Sequence, residues 1–290
     1  MKLSAWVSVG DLIQKKKTFF ERFVIGKFVY QSIFYKKNPS DVLLTLKKSG
    51  VDGIELLLTS NATDKDLEKA VQMIKNLNMR IFSVHQPLST LFNIKISEII
   101  KFCQIAKKLE AKVLVLHINV IGNQIFDKKY IADLKELEKE YNIKIAIENS
   151  PKSILTIFNS YCCQEDKFSK LMDVNGLNIT FDTTHLAQAA AASDAAPAES
   201  DSVGGDIISF YKNNKNRIVN IHLSDYKKHF LNTHLLLANH THLPLGKGKL
   251  PIREFLQILK QTNYDGLITM EINGNLEELC ESAKFIRCRP

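Results

Sequence analysis

Residues 80–118 read RIFSVHQPLSTLFNIKISEIIKFCQIAKKLEAKVLVLHI, and the succession of patterns within them decides the fold. The outer segments, RIFSVHQ and VLVLHI, are short runs rich in Ile, Val and Leu, with the character of buried strands. Between them, ISEIIKFCQIAKKLEA repeats its apolar residues at three- and four-residue steps, the period of a helix with one buried face. A strand, a helix and a second strand in this order make a parallel pair, because the helix carries the chain back to the edge from which the first strand started.

The same alternation continues in both directions. Further strand candidates are KLSAWVSV, DGIELLL, KIAIEN, NITFDTT, IVNIHLS and LITMEI, with helix patterns such as DKDLEKAVQMIKNLN, PIREFLQILKQTN and NLEELCESAKFI among them. Eight strands is the number that closes a (β/α)8 barrel, and the 290-residue length suits one such domain of typically ~250 residues. The expectation is a single TIM barrel over 1–290. A doubly wound open sheet is the alternative, but no Gly-x-Gly-x-x-Gly follows the first strand. Two segments break the rhythm. Residues 11–37, DLIQKKKTFFERFVIGKFVYQSIFYKK, mix Lys and Arg with Phe and Tyr and are read as a helical lid inserted after the first strand, with Arg22 and the lysines near 15–17 meeting anionic substrate groups. Residues 187–205, AQAAAASDAAPAESDSVGG, lack bulky apolar side chains and are read as a low-complexity loop or frayed helix.

Composition narrows the class. Hydrophobic residues make up 45% and charged residues 24%, values of an ordinary globular protein that exclude disordered and collagen-like chains. The 39 Lys+Arg against 31 Asp+Glu give a formal charge of +8 and a pI near 9.1, which favours anionic substrates without identifying one. The five cysteines lack Cys-x-x-Cys spacing, and the adjacent Cys162–Cys163 pair is a poor disulfide framework, so a reducing cytoplasm is expected. No apolar run reaches ~18 residues, and no membrane association is expected.

The chemistry-bearing residues fall at one end of the strands. His85 ends the third (SVHQP), His117 the fourth (VLHIN) and Glu148 the fifth (IENS). Asp182 and His185 close the sixth (FDTTH), His222 the seventh (NIHLSD) and Glu271 the eighth (TMEIN). In a closed barrel the carboxyl ends of all strands meet on one face. A single strand histidine is more often a satisfied core residue than a ligand. So many at equivalent positions point instead to a metal site. HTHLPLGKG at 240–248 adds His240 and His242, an H-x-H pair suited to a divalent ion. Imidazole and carboxylate donors without cysteine suit Zn²⁺, Mn²⁺, Co²⁺ or Fe²⁺. His240 and His242, with His185, would form the outermost metal position.

The motifs DGIEL, SVHQP, IEN, DTTH, HLSD, HLPLGKG and MEI together resemble the xylose isomerase-like TIM barrels, which include sugar isomerases and epimerases and the endonuclease IV-type apurinic endonucleases. The resemblance spans essentially the whole chain. The isomerase branch implies one divalent ion held by Glu148, Asp182, His222 and Glu271. There Glu148 and Glu271 also move protons, and His185 contacts substrate. The endonuclease branch implies further ligands at His85, His117, His185 and His242, which build a three-zinc cluster for phosphodiester hydrolysis. This chain has His240 where that branch has an aspartate.

Ligand number favours the endonuclease reading. Against it, QPLSTL after His85 lacks the aromatic residue such enzymes insert at an abasic site, and TMEING lacks their following Thr-Pro. The expectation is therefore a metal-dependent isomerase or epimerase acting on a sugar or sugar phosphate through an enediolate. It would carry one to three Zn, Mn or Co ions. An apurinic/apyrimidinic endonuclease with DNA as partner is the alternative, and a non-catalytic metal-binding barrel is a third class.

Overall fold

The computed structural model describes residues 1–15, 37–90, 94–117, 127–150, 165–191, 203–227 and 242–288. Eight parallel strands close into a barrel in chain order: β1 (Lys2–Ser8), β2 (Gly53–Leu57), β3 (Arg80–His85), β4 (Val113–Leu116), β5 (Lys144–Glu148), β6 (Asn178–Asp182), β7 (Ile218–Leu223) and β8 (Leu267–Met270). Closure comes from β1 pairing with β8 in the register Lys2↔Leu267 to Ala5↔Met270. The strands are buried on nearly every residue, as expected where helices cover one face and the barrel interior fills the other.

The helices are α1 (Val9–Leu12), α2 (Pro39–Lys48), α3 (Asp64–Asn76), α4 (Ile96–Lys108), α5 (Lys128–Tyr141), α6 (Glu165–Asn175), α7 (Thr183–Ala191), α8 (Val203–Asn214), α9 (Ile252–Gln261) and α10 (Leu276–Arg287). Their starts are written locally. Thr63 and Asp66 form a reciprocal capping box on α3, and Asn275 and Glu278 do the same on α10, each cap stabilising by roughly 1 kcal/mol. Helix α9 turns Ile252, Phe255, Leu256, Ile258 and Leu259 onto the barrel. Each such side chain contributes ~1.5–3 kcal/mol by leaving water. Among the described residues, no helix is long and apolar enough to cross a membrane.

Most of the basic-aromatic segment, 16–36, lies outside the described residues, as do 192–202 of the low-complexity stretch. The described flanks are ordered. Residues 187–191 continue α7, and 203–205 open α8. Lys15, one of the lysines expected near substrate, bonds Asp66 at 2.7 Å at the start of α3.

Inside the barrel a layer of polar side chains lies below the carboxyl-end rim. Ser4, Glu55, Ser83, Asn220 and Thr269, from β1, β2, β3, β7 and β8, are all fully buried. Ser4 Oγ lies 2.7 Å from Thr269 Oγ1, Thr269 donates to Asn220 Oδ1 at 3.0 Å, and Asn220 donates to Glu55 Oε2 at 2.9 Å. Such groups are tolerated in a core only when they satisfy one another.

Candidate metal centre

Most donors sit where a strand ends, and His185 and His242 reach them from the helix and loop that follow. At the end of β3, His85 Nδ1 lies 2.8 Å from the Gln86 carbonyl. That contact requires a proton on Nδ1, so a neutral ring presents the Nε2 lone pair, 3.4 Å from Glu148 Oε2. The Gln86 side chain ties the next strand in place by accepting from the His117 backbone N–H at 3.1 Å. His117 Nε2 then lies 3.1 Å from the same Glu148 oxygen.

Glu148 is the hinge of the arrangement. Its Oε1 faces the other way, 3.2 Å from His185 Nδ1 and 3.4 Å from His222 Nδ1. On β6, Asp182 divides its carboxylate similarly: Oδ1 caps α7 by accepting the His185 N–H at 2.6 Å, which leaves Oδ2 to the site. Asn149 fixes the two strand ends through a reciprocal pair of bonds with the Asp182 backbone, 2.8 and 2.9 Å. Its carbonyl also lies 2.9 Å from His185 Nδ1. His222 on β7 places Nδ1 2.7 Å from Glu271 Oε2, just beyond β8.

His242 reaches the site on a loop built around one buried carboxylate. Asp225 accepts four backbone N–H bonds, from Tyr226, Gly246, Gly248 and Leu250, at 2.8–3.0 Å. It also pairs with Leu243 as an isolated antiparallel bridge. Gly246 has φ +82, and a Cβ on Gly248 would collide with the Asp225 carboxylate. Only glycine fits both places. The Leu-Gly-Lys-Gly turn thus wraps the aspartate of the HLSD segment and presents His242, whose Nδ1 lies 3.2 Å from Ser224 Oγ and 3.9 Å from Asp182 Oδ2.

Among the described residues three groups of donor atoms result, each with all its atoms within 4.8 Å of one another: His85, His117 and Glu148; Glu148, Asp182, His222 and Glu271; and Asp182, His185 and His242. Glu148 and Asp182 are shared between groups. Buried atoms of the middle group, Glu148 Oε1 and Oε2, Asp182 Oδ2, His222 Nδ1 and Glu271 Oε2, make no well-directed hydrogen bond. Buried polar atoms left this way are costly unless something else meets them. Converging lone pairs from three carboxylates and an imidazole fit a divalent cation. His240 lies outside the described residues.

The protonation pattern carries the same information. Burial disfavours a charged His185, yet Asp182, Glu148 and Glu271 outweigh it and lift its pKa to about 9. His222 is driven up against its burial by Glu55, Glu148 and Glu271, and His85 by Glu148 and Glu55. Glu148 is pulled well below the ordinary carboxylate range by His117 and His222 despite its burial. Protons on the imidazoles compensate the carboxylates where cations would do so.

Four residues that sequence reading did not single out prove structural to the site: Gln86, Asn149, Asp225 and Glu55. Glu55 carried the clearest signal. It is a carboxylate in the middle of the apolar run DGIELLL, and a fully buried glutamate almost always has a partner. That partner is His222, whose Nε2 lies 2.8 Å from Glu55 Oε1.

A closed parallel barrel carrying its polar donors on the carboxyl-end rim defines the class, and the comparisons specify the family. Residues 43–288 match the model of the xylose isomerase-like TIM barrels, and the chain belongs to that family. An uncharacterized protein of Methanocaldococcus jannaschii is 26% identical over 193 residues, a match covering 63% of this chain and 57% of that relative's length. A D-tagatose 3-epimerase-like protein superposes with a TM-score of 0.59 at 19% identity, over 99% of this chain and 96% of the other. Endonuclease IV from Thermus thermophilus superposes with a TM-score of 0.59 at 14% identity, over 99% and 98%. At these identities the likeness concerns the fold, and the fold hosts both chemistries.

Proposed function

We propose that this protein is a divalent-metal-dependent isomerase or epimerase that acts on a sugar or sugar phosphate through an enediolate, with Glu148, Asp182, His222 and Glu271 holding the ion. The observation that carries this reading is the placement of two glutamates on one donor group from strands three apart in the ring, β5 and β8. Carboxylates so placed meet a bound substrate from two sides, as proton transfer at a carbon next to a carbonyl requires. Glu148 and Glu271 are both held below the usual carboxylate range, chiefly by His117 and His222 for the first and by His222 and His242 for the second, against their burial. They are ionised at neutral pH and able to accept a proton. The Glu271 side chain is 21% exposed against 1% for Glu148, so Glu271 lines the open side of the site. A bound Mn²⁺, Co²⁺ or Zn²⁺ would supply Lewis-acid polarisation of the substrate carbonyl and lower the cost of the enediolate. His185, on the rim beside Glu148, would orient a substrate hydroxyl.

A second reading rests on the other two donor groups. His85 with His117, and His185 with His242, extend the site on both sides of the inner group. A site of two or three cations would suit a phosphodiesterase acting on abasic DNA, and another structural neighbour is an endonuclease IV. The deciding experiment offers Mn²⁺- or Co²⁺-loaded protein a panel of ketoses and ketose phosphates in deuterated water and follows the C–H signals by NMR. An abasic-site duplex is incubated in parallel. Exchange of a substrate proton with an intact duplex is expected. Cleavage 5′ to the lesion without exchange would replace the first reading by the second.

A further inference from the structure

The proton positions in the buried layer beneath the site follow from its contacts. The Glu55 carboxylate can only accept, so Asn220 turns its NH₂ to Oε2 and its Oδ1 to Thr269, whose hydroxyl donates there at 3.0 Å with a longer contact of 3.4 Å to Glu55 Oε2, and whose Oγ1 lies 2.7 Å from Ser4 Oγ. Ser83 Oγ donates to the same oxygen at 2.6 Å. Glu55 Oε2 is thus saturated, and Oε1 is left facing His222 Nε2 at 2.8 Å. The two atoms do not form a well-directed hydrogen bond, so the contact acts by charge. Once a cation takes the place of the proton on Nδ1 among the carboxylates, the ring keeps one proton, and the anionic Oε1 2.8 Å from Nε2 holds it on that nitrogen by charge.

We propose that Glu55 is a positioning residue that keeps the His222 proton on Nε2 and so reserves Nδ1, the nitrogen facing Glu148, Asp182 and Glu271, for a cation. The proposal rests on the inner metal site described above. Carboxylate partners of this kind hold ligand histidines in the right tautomer. Here the layer adds a selection rule, because its donors fix which Glu55 oxygen is free.

The isosteric change Glu55→Gln tests that rule. The hydroxyl of Ser83 and the amide of Asn220 both donate at the Oε2 position, so the glutamine carbonyl must sit there and its NH₂ must take the Oε1 position. That NH₂ now points a donor at Nε2. The ring can accept it only by moving its proton to Nδ1, which then faces the carboxylates with an N–H in place of a lone pair. Glu55→Gln should therefore weaken Co²⁺ binding, followed by its visible absorption, on the order of 10–100-fold, the range for lost partners of metal-ligating histidines. Circular dichroism should show the barrel intact. Ser83→Ala removes a donor but leaves the carboxylate, and its Co²⁺ affinity should stay within about threefold of the parent.

Equal losses in Glu55→Gln and Ser83→Ala would mean that the layer acts only by packing, and would overturn the proposal. So would parental affinity in Glu55→Gln. A measurement on the unaltered protein stands apart from folding of the variants: ¹⁵N–¹H NMR of the Zn²⁺-loaded form should place the His222 ring proton on Nε2, and a proton on Nδ1 would refute the assignment. A parent that binds neither ion at this site would instead remove the metal reading itself, a failure visible before any variant is compared.

Discussion

Glu148 Oε1 and His222 Nδ1, from β5 and β7, stand 3.4 Å apart, while the other Glu148 oxygen faces His85 and His117 at 3.4 and 3.1 Å. One carboxylate therefore joins the inner donor group to the pair of histidines beside it, and removing its charge acts on both sides at once. Replacing Glu148 by Gln keeps the shape and one oxygen donor but loses charge and basicity. Activity should fall by at least ~100-fold, as for loss of a general base, and metal content measured by elemental analysis should fall with it. A variant that retains both its ion and its turnover would remove Glu148 from the mechanism.

The raised histidines make metal binding a competition with protons. His185 titrates at about 9 and His222 well above its ordinary value, held up against their burial by Asp182, Glu55, Glu148 and Glu271. In the metal-free protein these rings are charged at neutral pH and must release protons on binding. Apparent Co²⁺ affinity should therefore rise steadily from pH 7 towards about 9. Stability of the metal-free protein should move in the opposite sense. A histidine whose folded pKa exceeds its ordinary 6.5 contributes fully below that value and loses its contribution as pH climbs through about 9. Thermal unfolding of metal-stripped protein across this interval checks the sign. A midpoint that rises with pH would contradict it.

The barrel and most of its donors were legible because both depend on local pattern. Alternating strands and helices fix a parallel barrel, and a parallel barrel collects strand ends on one face, so His85, Glu148, Asp182 and His222 could be placed together from their strand positions alone. Glu55 was not placed, because a mid-strand position in GIELL gives no indication of which strand lies across the interior; His222 is 167 residues away. Asp225 was hidden for a different reason. Its four bonds go to backbone N–H groups of a glycine turn, and backbone partners leave little trace in side-chain pattern. Gln86 and Asn149 also act on backbone, one on His117 and one on Asp182.

Asp225 yields a stability prediction that separates loop from barrel. Asp225→Ala would strand four backbone donors around a buried cavity. With each unmet buried donor costing ~1–3 kcal/mol and partial relief by water, the loss should be about 3 kcal/mol in urea unfolding. The same variant should weaken whatever binds through His242 while sparing the visible spectrum of Co²⁺ at the inner group. Undiminished stability would show that the turn at 244–250 holds its shape without the carboxylate.

Thiol chemistry offers a check that is independent of metal. Cys103 is buried in α4, and burial pushes its pKa up to about 12, whereas Cys288 is exposed at the end of α10. Reactivity requires the thiolate. At about pH 8, peptide mapping after brief treatment with a maleimide should find Cys288 modified and Cys103 untouched until denaturant is added. Early modification of Cys103 would place the packing of α4 on the barrel in error.

The outer donor group decides how many ions the site holds. His242 sits within reach of Asp182 and His185, the ring centroids of the two histidines 5.3 Å apart, but its donor atom is not part of the inner group of Glu148, Asp182, His222 and Glu271. His242→Ala should therefore reduce zinc stoichiometry by one per chain if the outer group is a true subsite, while Co²⁺ at the inner group keeps its spectrum. If stoichiometry does not change, the outer group binds no ion, and its histidines act on substrate or on Asp182. Activity then assigns the chemistry. An enediolate enzyme needs its inner carboxylates for proton transfer, whereas a phosphodiesterase that spreads phosphate charge over several cations loses several kcal/mol of transition-state stabilisation with one of them. Abasic-duplex cleavage that disappears in His242→Ala, together with one zinc ion, would transfer the protein to the endonuclease branch of its family.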